Sequence, residues 1–142
     1  MNLHELEYGN TLHLDFKKLQ QVAACGDMVP VVVQHADTGE VLILAYTNQD
    51  AFEQTQRQRI AIFWSTSRNA LWIKGATSGD YLDLVDIAVN CEQNALLYRV
   101  RPRTGGVCHT QDAAGHAQPT CFYRLVETHN NASLRVRSHH DA

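Results

Sequence analysis

No stretch of this chain approaches the ~18 consecutive apolar residues that a membrane-crossing helix needs. The opening residues, MNLHELEYGN, lack a basic start followed by an apolar core. No secretory signal is therefore expected, and the expected address is cytoplasmic. Charge of one sign is not in excess: 12 Lys and Arg stand against 15 Asp and Glu, a formal net charge of -3. That balance gives no electrostatic reason to bind DNA, RNA or an anionic membrane. The one arginine cluster, Arg99, Arg101 and Arg103, is short and lacks interleaved aromatics, so no nucleic-acid partner is expected. Internal repeats, linker-like stretches and paired CxxC knuckles are all missing. Nor do the serines belong to an evident Ser-His-acid set.

What is present suits one folded domain. The chain has 142 residues, 44% of them hydrophobic and 19% charged, enough for a real core. Asp15 is placed to cap a short helix over DFKKLQQV, with Phe16, Leu19 and Val22 on one side. VPVVVQH and EVLILAYT read as strands joined by the turn ADTG. The near-continuous apolar run VLILAY predicts a central, well-covered strand. Thr47 and Asp50 match a capping box before the helix AFEQTQRQR. IAIFWS, ALWIK, YLDLVDIAV, ALLYRVR and FYRLVE follow as strand candidates, and the tail HNNASLRVRSHHDA has few apolar anchors. The expected architecture is a small single α+β domain with a strand-rich mixed or antiparallel sheet and short covering helices.

Four cysteines, Cys25, Cys91, Cys108 and Cys121, are more useful as thiolates or metal ligands than as disulfides in a reducing compartment. Cys108 and Cys121 bracket the loop CHTQDAAGHAQPTC, and Gly105 and Gly106 just before it, with Gly115 and Pro119 inside it, let both sulfurs face one point. Cys91, in a polar gap between two strands, is a candidate third ligand. Three protein ligands would leave a zinc position open for water, which favours chemistry over bracing. His109 and His116 are alternative ligands or bases. Unrelated buried thiols are the plain alternative, and for Cys25 the favoured one.

Several ordered segments resemble the phosphoribosyl-AMP cyclohydrolase family of histidine biosynthesis. They are VPVVVQHADTGEVLILAYTNQDA, FWSTSRNALWIKGATSG, NCEQNALLYRV, GGVCHT and CFYR. The resemblance implies homodimers with active sites at the subunit interface and hydrolysis of the N1–C6 bond of an adenine ring. It implies a zinc held by Cys91, Cys108 and Cys121, with one of the three donated by the partner chain. His109 would sit beside the metal and relay a proton, and zinc would make water reactive at neutral pH. Trp64, Ser65, Ser67, Arg68, Trp72, Lys74, Gly75, Thr77 and Ser78 match the substrate-binding stretches. The implied division is an N-terminal helical segment over 1–27, a cyclohydrolase-like domain over 28–126 and a frayed tail over 127–142.

The chain departs from the family pattern in its recognition loops. Where the family carries Asp-Cys-Asp-x-Asp to bind magnesium, this chain reads NCEQN, leaving Glu92 as the one carboxylate among Asn90, Glu92 and Asn94. Magnesium binding is expected to suffer. Thr66 stands where arginine is usual and Ala76 where glutamate is usual, and the loop after Cys108 is long. The expected function is a zinc-dependent hydrolase of a C–N bond in a purine-like ring, with altered recognition of a small heterocyclic or nucleotide-like substrate. The alternatives are a genuine histidine-pathway cyclohydrolase and a non-catalytic zinc-binding homologue.

Overall fold

The computed structural model describes residues 2–127 and 133–138. Two short helices, α1 (Leu3–Tyr8) and α2 (Lys18–Ala24), precede the sheet. Strand β1 (Val29–His35) alternates its β-branched residues so that Val31 and Val33 are fully buried. A turn that returns at Gly39, in the left-handed region at φ 78°, leads into β2 (Val41–Thr47). Helix α3 (Gln49–Gln58) buries Ala51 and Thr55. The Thr55 hydroxyl donates to the carbonyls of Ala51 and Ile62 and accepts from Ile62 N, tying α3 to the next strand. That strand, β3 (Ile62–Ser65), forms a two-stranded ribbon with β4 (Ala70–Ile73). Strands β5 (Leu82–Val89) and β6 (Leu96–Pro102) complete the main sheet, and β7 (Arg124–Glu127) pairs with β8 (Ser133–Val136).

The main sheet runs β2-β1-β6-β5. Its central pair, β1 and β6, is parallel, while β1–β2 and β5–β6 are antiparallel. The sheet is therefore mixed, and the core of Val31, Val33, Leu42, Phe63, Leu82, Tyr98, Val100 and Val107 lies between it and the β3–β4 ribbon. The register sorts the strand ends into two groups. His35, Val41, Leu82 and Pro102 lie at one end, and Val29, Thr47, Val89 and Leu96 at the other. Seven residue steps along β5 separate the groups by about 23 Å.

Four local expectations are corrected. The run VLILAY forms an edge strand, not a central one. Its apolar outward residues Val41 and Leu44 remain 44% and 51% exposed. The cap of α3 is Asn48, whose side chain accepts from Ala51 N, while Thr47 is the buried last residue of β2. Asn supplies a better oxygen for that bond at an extended backbone position. Asp15 closes a turn on Lys17 N instead of capping α2, and Phe16 and Leu19 are exposed, leaving only Val22 buried. Within the tail expected to fray, Ser133–Val136 is a strand, because β7 offers it an unpaired edge. The remaining tail residues, 128–132 and 139–142, lie outside those described.

Candidate active site

A cavity of about 540 Å³ opens at the Leu82–Val41 end of the sheet. Its lining combines Trp72, Lys74 and Arg68 with the segment 75–78 and with Cys108, His109 and Cys121. Each arrives from a different piece of fold. Trp72 comes from β4 and packs on Phe63 at 5.4 Å between ring centroids. Just past β4, Lys74 is held by a backbone bond from its N–H to Ala61 O. Its buried side chain donates from Nζ to Asp80 O at 2.9 Å. Burial pulls the Lys74 ammonium below the ordinary lysine value, while Asp80 and the nearby thiols of Cys121 and Cys108 pull it back.

Gly75 makes the following loop possible. Its φ is +95°, and a Cβ there would stand 2.4 Å from Tyr81 N and 2.6 Å from Tyr81 Cα. Only glycine tolerates both the backbone angle and that close approach. The chain then turns tightly through Ala76–Gly79, with Gly79 N–H bonding Gly75 O at 2.7 Å.

The thiols approach from the far side. Cys121 is anchored by its N–H to Leu42 O at 2.8 Å, and the Thr120 hydroxyl donates to Val41 O at 2.9 Å. Val107 and Cys108 both donate their N–H to Gln118 O, so the long loop folds back on itself as a narrow excursion. Asp112 closes its tip by accepting from Ala114 N and His116 N. His116 is exposed at that tip and does not line the cavity. Thr110 Oγ donates to Cys108 Sγ at 3.1 Å. The neighbouring Cys121 and that hydroxyl draw the Cys108 thiol down to about 5, while Cys108 and burial push Cys121 upward. A thiolate on the cavity floor beside a second thiol and an imidazole is a soft, borderline donor set of the kind zinc takes.

Cys91 is not with them. It sits exposed in the turn between β5 and β6, at the opposite end of the sheet. Among the described residues of one chain, no three His, Cys, Asp or Glu side chains gather to hold a metal. The neighbours of Cys91 are also engaged. Asn90 Oδ1 accepts from the N–H groups of Asn94 and Ala95 at 2.9 Å each, and Asn90 Nδ2 donates to Asn94 Oδ1 at 2.6 Å. Both amide oxygens are used within the turn, so Glu92 stands as a lone exposed carboxylate. That set does not fit a hard cation such as magnesium.

The cavity takes in part of the substrate stretch picked out by sequence. Arg68, Trp72, Lys74, Gly75, Thr77 and Ser78 line it, whereas Trp64, Ser65 and Ser67 do not. Trp64 instead donates its indole N–H to Asn69 at 3.1 Å, and the Ser65 and Ser67 hydroxyls contact each other. Thr66 is buried beneath α2, where Lys18 Nζ reaches its hydroxyl at 2.7 Å. A cation thus stands over the position where an arginine was expected. Cys25, half-buried, donates to Thr66 O at 3.4 Å.

The arginine cluster is likewise engaged. Arg99, Arg101 and Arg103 pair with Asp86, Asp37 and Asp83, which holds all three carboxyls below their usual range. Sequence reasoning missed Glu7, whose carboxylate meets His109 Nε2. It also missed Asp80 and Val107 in the lining. Glu7 carries no local motif, and only the docking of α1 brings it near. No helix among the described residues is long and apolar enough to cross a membrane.

The sequence model of the phosphoribosyl-AMP cyclohydrolase family matches residues 43–123, which include all of these cavity residues. A phosphoribosyl-AMP cyclohydrolase of Caulobacter vibrioides is 43% identical over 125 residues, covering 87% of this chain and 81% of its own. One from Chloroherpeton thalassium is 40% identical over 109 residues, covering 77% and 72% respectively. The histidine biosynthesis bifunctional protein HisIE of Thermus thermophilus is 50% identical over 99 residues, 70% of this chain but 43% of that longer protein.

Proposed function

The chain belongs to the phosphoribosyl-AMP cyclohydrolase family, and from that membership we propose that it hydrolyses the N1–C6 bond of phosphoribosyl-AMP in histidine biosynthesis. The observation that carries this reading is the single cavity joining Cys108, Cys121 and His109 to Trp72, Lys74 and the 75–78 loop. The expectation of an altered substrate finds no support, since relatives 40–50% identical bear the pathway's own name or that of its bifunctional form. Thr66, one reason for that expectation, is buried outside the cavity lining, with Lys18 Nζ on its hydroxyl.

Cys108 and Cys121 would hold zinc together with Cys91 of a second copy, because Cys91 of the same chain lies at the other end of the sheet. When bound, zinc supplies a Lewis acid that makes water nucleophilic at neutral pH. Trp72 offers an apolar wall against the flat base. Lys74, its ammonium fixed on Asp80 O, places positive charge beside the phosphate-bearing part of the substrate. Backbone N–H groups and hydroxyls of Thr77 and Ser78 are further donors for those phosphates. As C6 takes up the water oxygen, the N1–C6 bond breaks and N1 needs a proton. His109, on the cavity edge, is the group to carry it.

The test is direct turnover. Purified protein supplied with zinc should convert phosphoribosyl-AMP to the ring-opened product, and Cys108→Ala should lower kcat by more than roughly a thousandfold. A wild type that stays inert with zinc and magnesium both supplied would sink the assignment.

A further inference from the structure

We propose that Glu7 is a positioning residue for His109, locking the imidazole in the tautomer that carries its proton on Nε2. This rests on reading His109 as the proton carrier of the cavity. Glu7 lies in the N-terminal helix, far in sequence from every cavity residue and outside the segment the family model matches. Its carboxylate nonetheless stands against His109 Nε2 at hydrogen-bonding distance, and it is far less exposed than its partner, 22% against 74%.

The pairing is built from the backbone outward. Tyr123 donates its hydroxyl to Glu7 O at 2.5 Å. Arg124 Nη1 donates to Leu6 O and Gly9 O at 3.0 and 3.1 Å, on either side of Glu7. Gln111 N–H donates to the Tyr8 hydroxyl at 2.8 Å, tying α1 to the loop two residues beyond His109. Leu134 N–H adds a bond to Asn10 O at 2.7 Å. Five bonds therefore clamp residues 6–10 against the strip that carries the thiols, and the Glu7 side chain is left aimed at the ring.

The chemical consequence follows from the donor inventory. An ionised carboxylate only accepts, so the ring nitrogen facing it must carry hydrogen. In the neutral ring the lone pair is then confined to Nδ1, and Nδ1 is the atom that takes and returns a proton. Carboxylates that orient a histidine in this way commonly matter by roughly tenfold to a hundredfold in activity.

Two measurements on the full chain test this. Long-range 1H–15N NMR, with His109 assigned by loss of its signals in His109→Gln, should give the Nε2–H tautomer in the wild type and a mixture in Glu7→Ala. Kinetics on phosphoribosyl-AMP with zinc should show Glu7→Ala lowering kcat roughly tenfold to a hundredfold with KM moving less than about twofold. Glu7→Gln, which keeps an acceptor oxygen and the side-chain shape, should restore part of kcat. Glu5→Ala, which removes an exposed carboxylate from the same helix and leaves Glu7 and its clamp in place, should match the wild type. An unchanged tautomer in Glu7→Ala, or equal losses in Glu7→Ala and Glu5→Ala, overturns the proposal. An inactive wild type would instead defeat the assigned reaction, while the NMR comparison would still decide the role of Glu7.

Discussion

The two ends of the main sheet contain cysteines of opposite character. At the Leu82–Val41 end, Cys108 and Cys121 line a cavity with a buried lysine and an aromatic wall. At the Val89–Leu96 end, Cys91 stands exposed on a turn whose amides are satisfied by one another. One end is electrostatically poised and the other is locally complete. On the proposed reading, a metal centre that needs all three thiols cannot close within one chain, and the sheet would act as a spacer that makes two copies exchange ends.

The strongest way to break that comparison is to divide the thiols between two inactive proteins. Cys91→Ala and Cys108→Ala should each be dead alone. Unfolded, mixed and refolded together, they should recover about a quarter of wild-type turnover, because half the dimers carry one intact site. No recovery in a mixture shown to contain heterodimers would refute the exchange. Next in size is Gly75→Ala. The Cβ would collide with Tyr81 backbone, so the variant should lose about 2–4 kcal/mol in denaturant unfolding and most of its activity. Wild-type stability would mean that the 75–81 approach is looser than described.

The quiet end can be sharpened in the same way. Asn90→Asp combined with Asn94→Asp sets two like charges where the amides now bond. In magnesium-free buffer the thermal midpoint should fall by about 2–4 °C, and added magnesium should restore it, with calorimetry detecting binding that the wild type lacks. The smallest effect concerns the exposed arginine pairs. Asp37, Asp83 and Asp86 have folded values below 3.8, so their contribution is fully present above that pH and is lost as pH falls through the lower folded values. Asp37→Asn should shift the midpoint at pH 7 by no more than about 2 °C, and the difference should shrink as pH falls below 3.8.

How much of this was legible in the sequence depended on whether the signal was local. The hairpin of β1 and β2, the placement of α3 and the Gly75 loop follow from alternation, turn residues and motif. The edge position of β2 was not legible, because an apolar run looks the same whether its neighbours are strands, a ribbon or a second molecule. Phe16 and Leu19 misled for a related reason, since apolar spacing on a helix gives no assurance that a core lies beneath it. In the site, the thiols and the 74–78 loop were found through their residue types. Glu7 and Lys18 were not, because their roles come from where two short N-terminal helices dock. The two amides at 90 and 94 read as a damaged cation site, and their mutual bonding gives them a structural use instead.

The parallel pairing of β1 with β6 has a further consequence. It sets Val31 beside Leu96 and loops out everything between them, including Trp72, Lys74 and the Gly75 turn. That long-range closure must occur before the cavity walls meet, which makes catalytic competence a late event in folding. A nascent chain should stay inert until β6 and, beyond it, Cys121 have emerged, however well its first hairpin has formed.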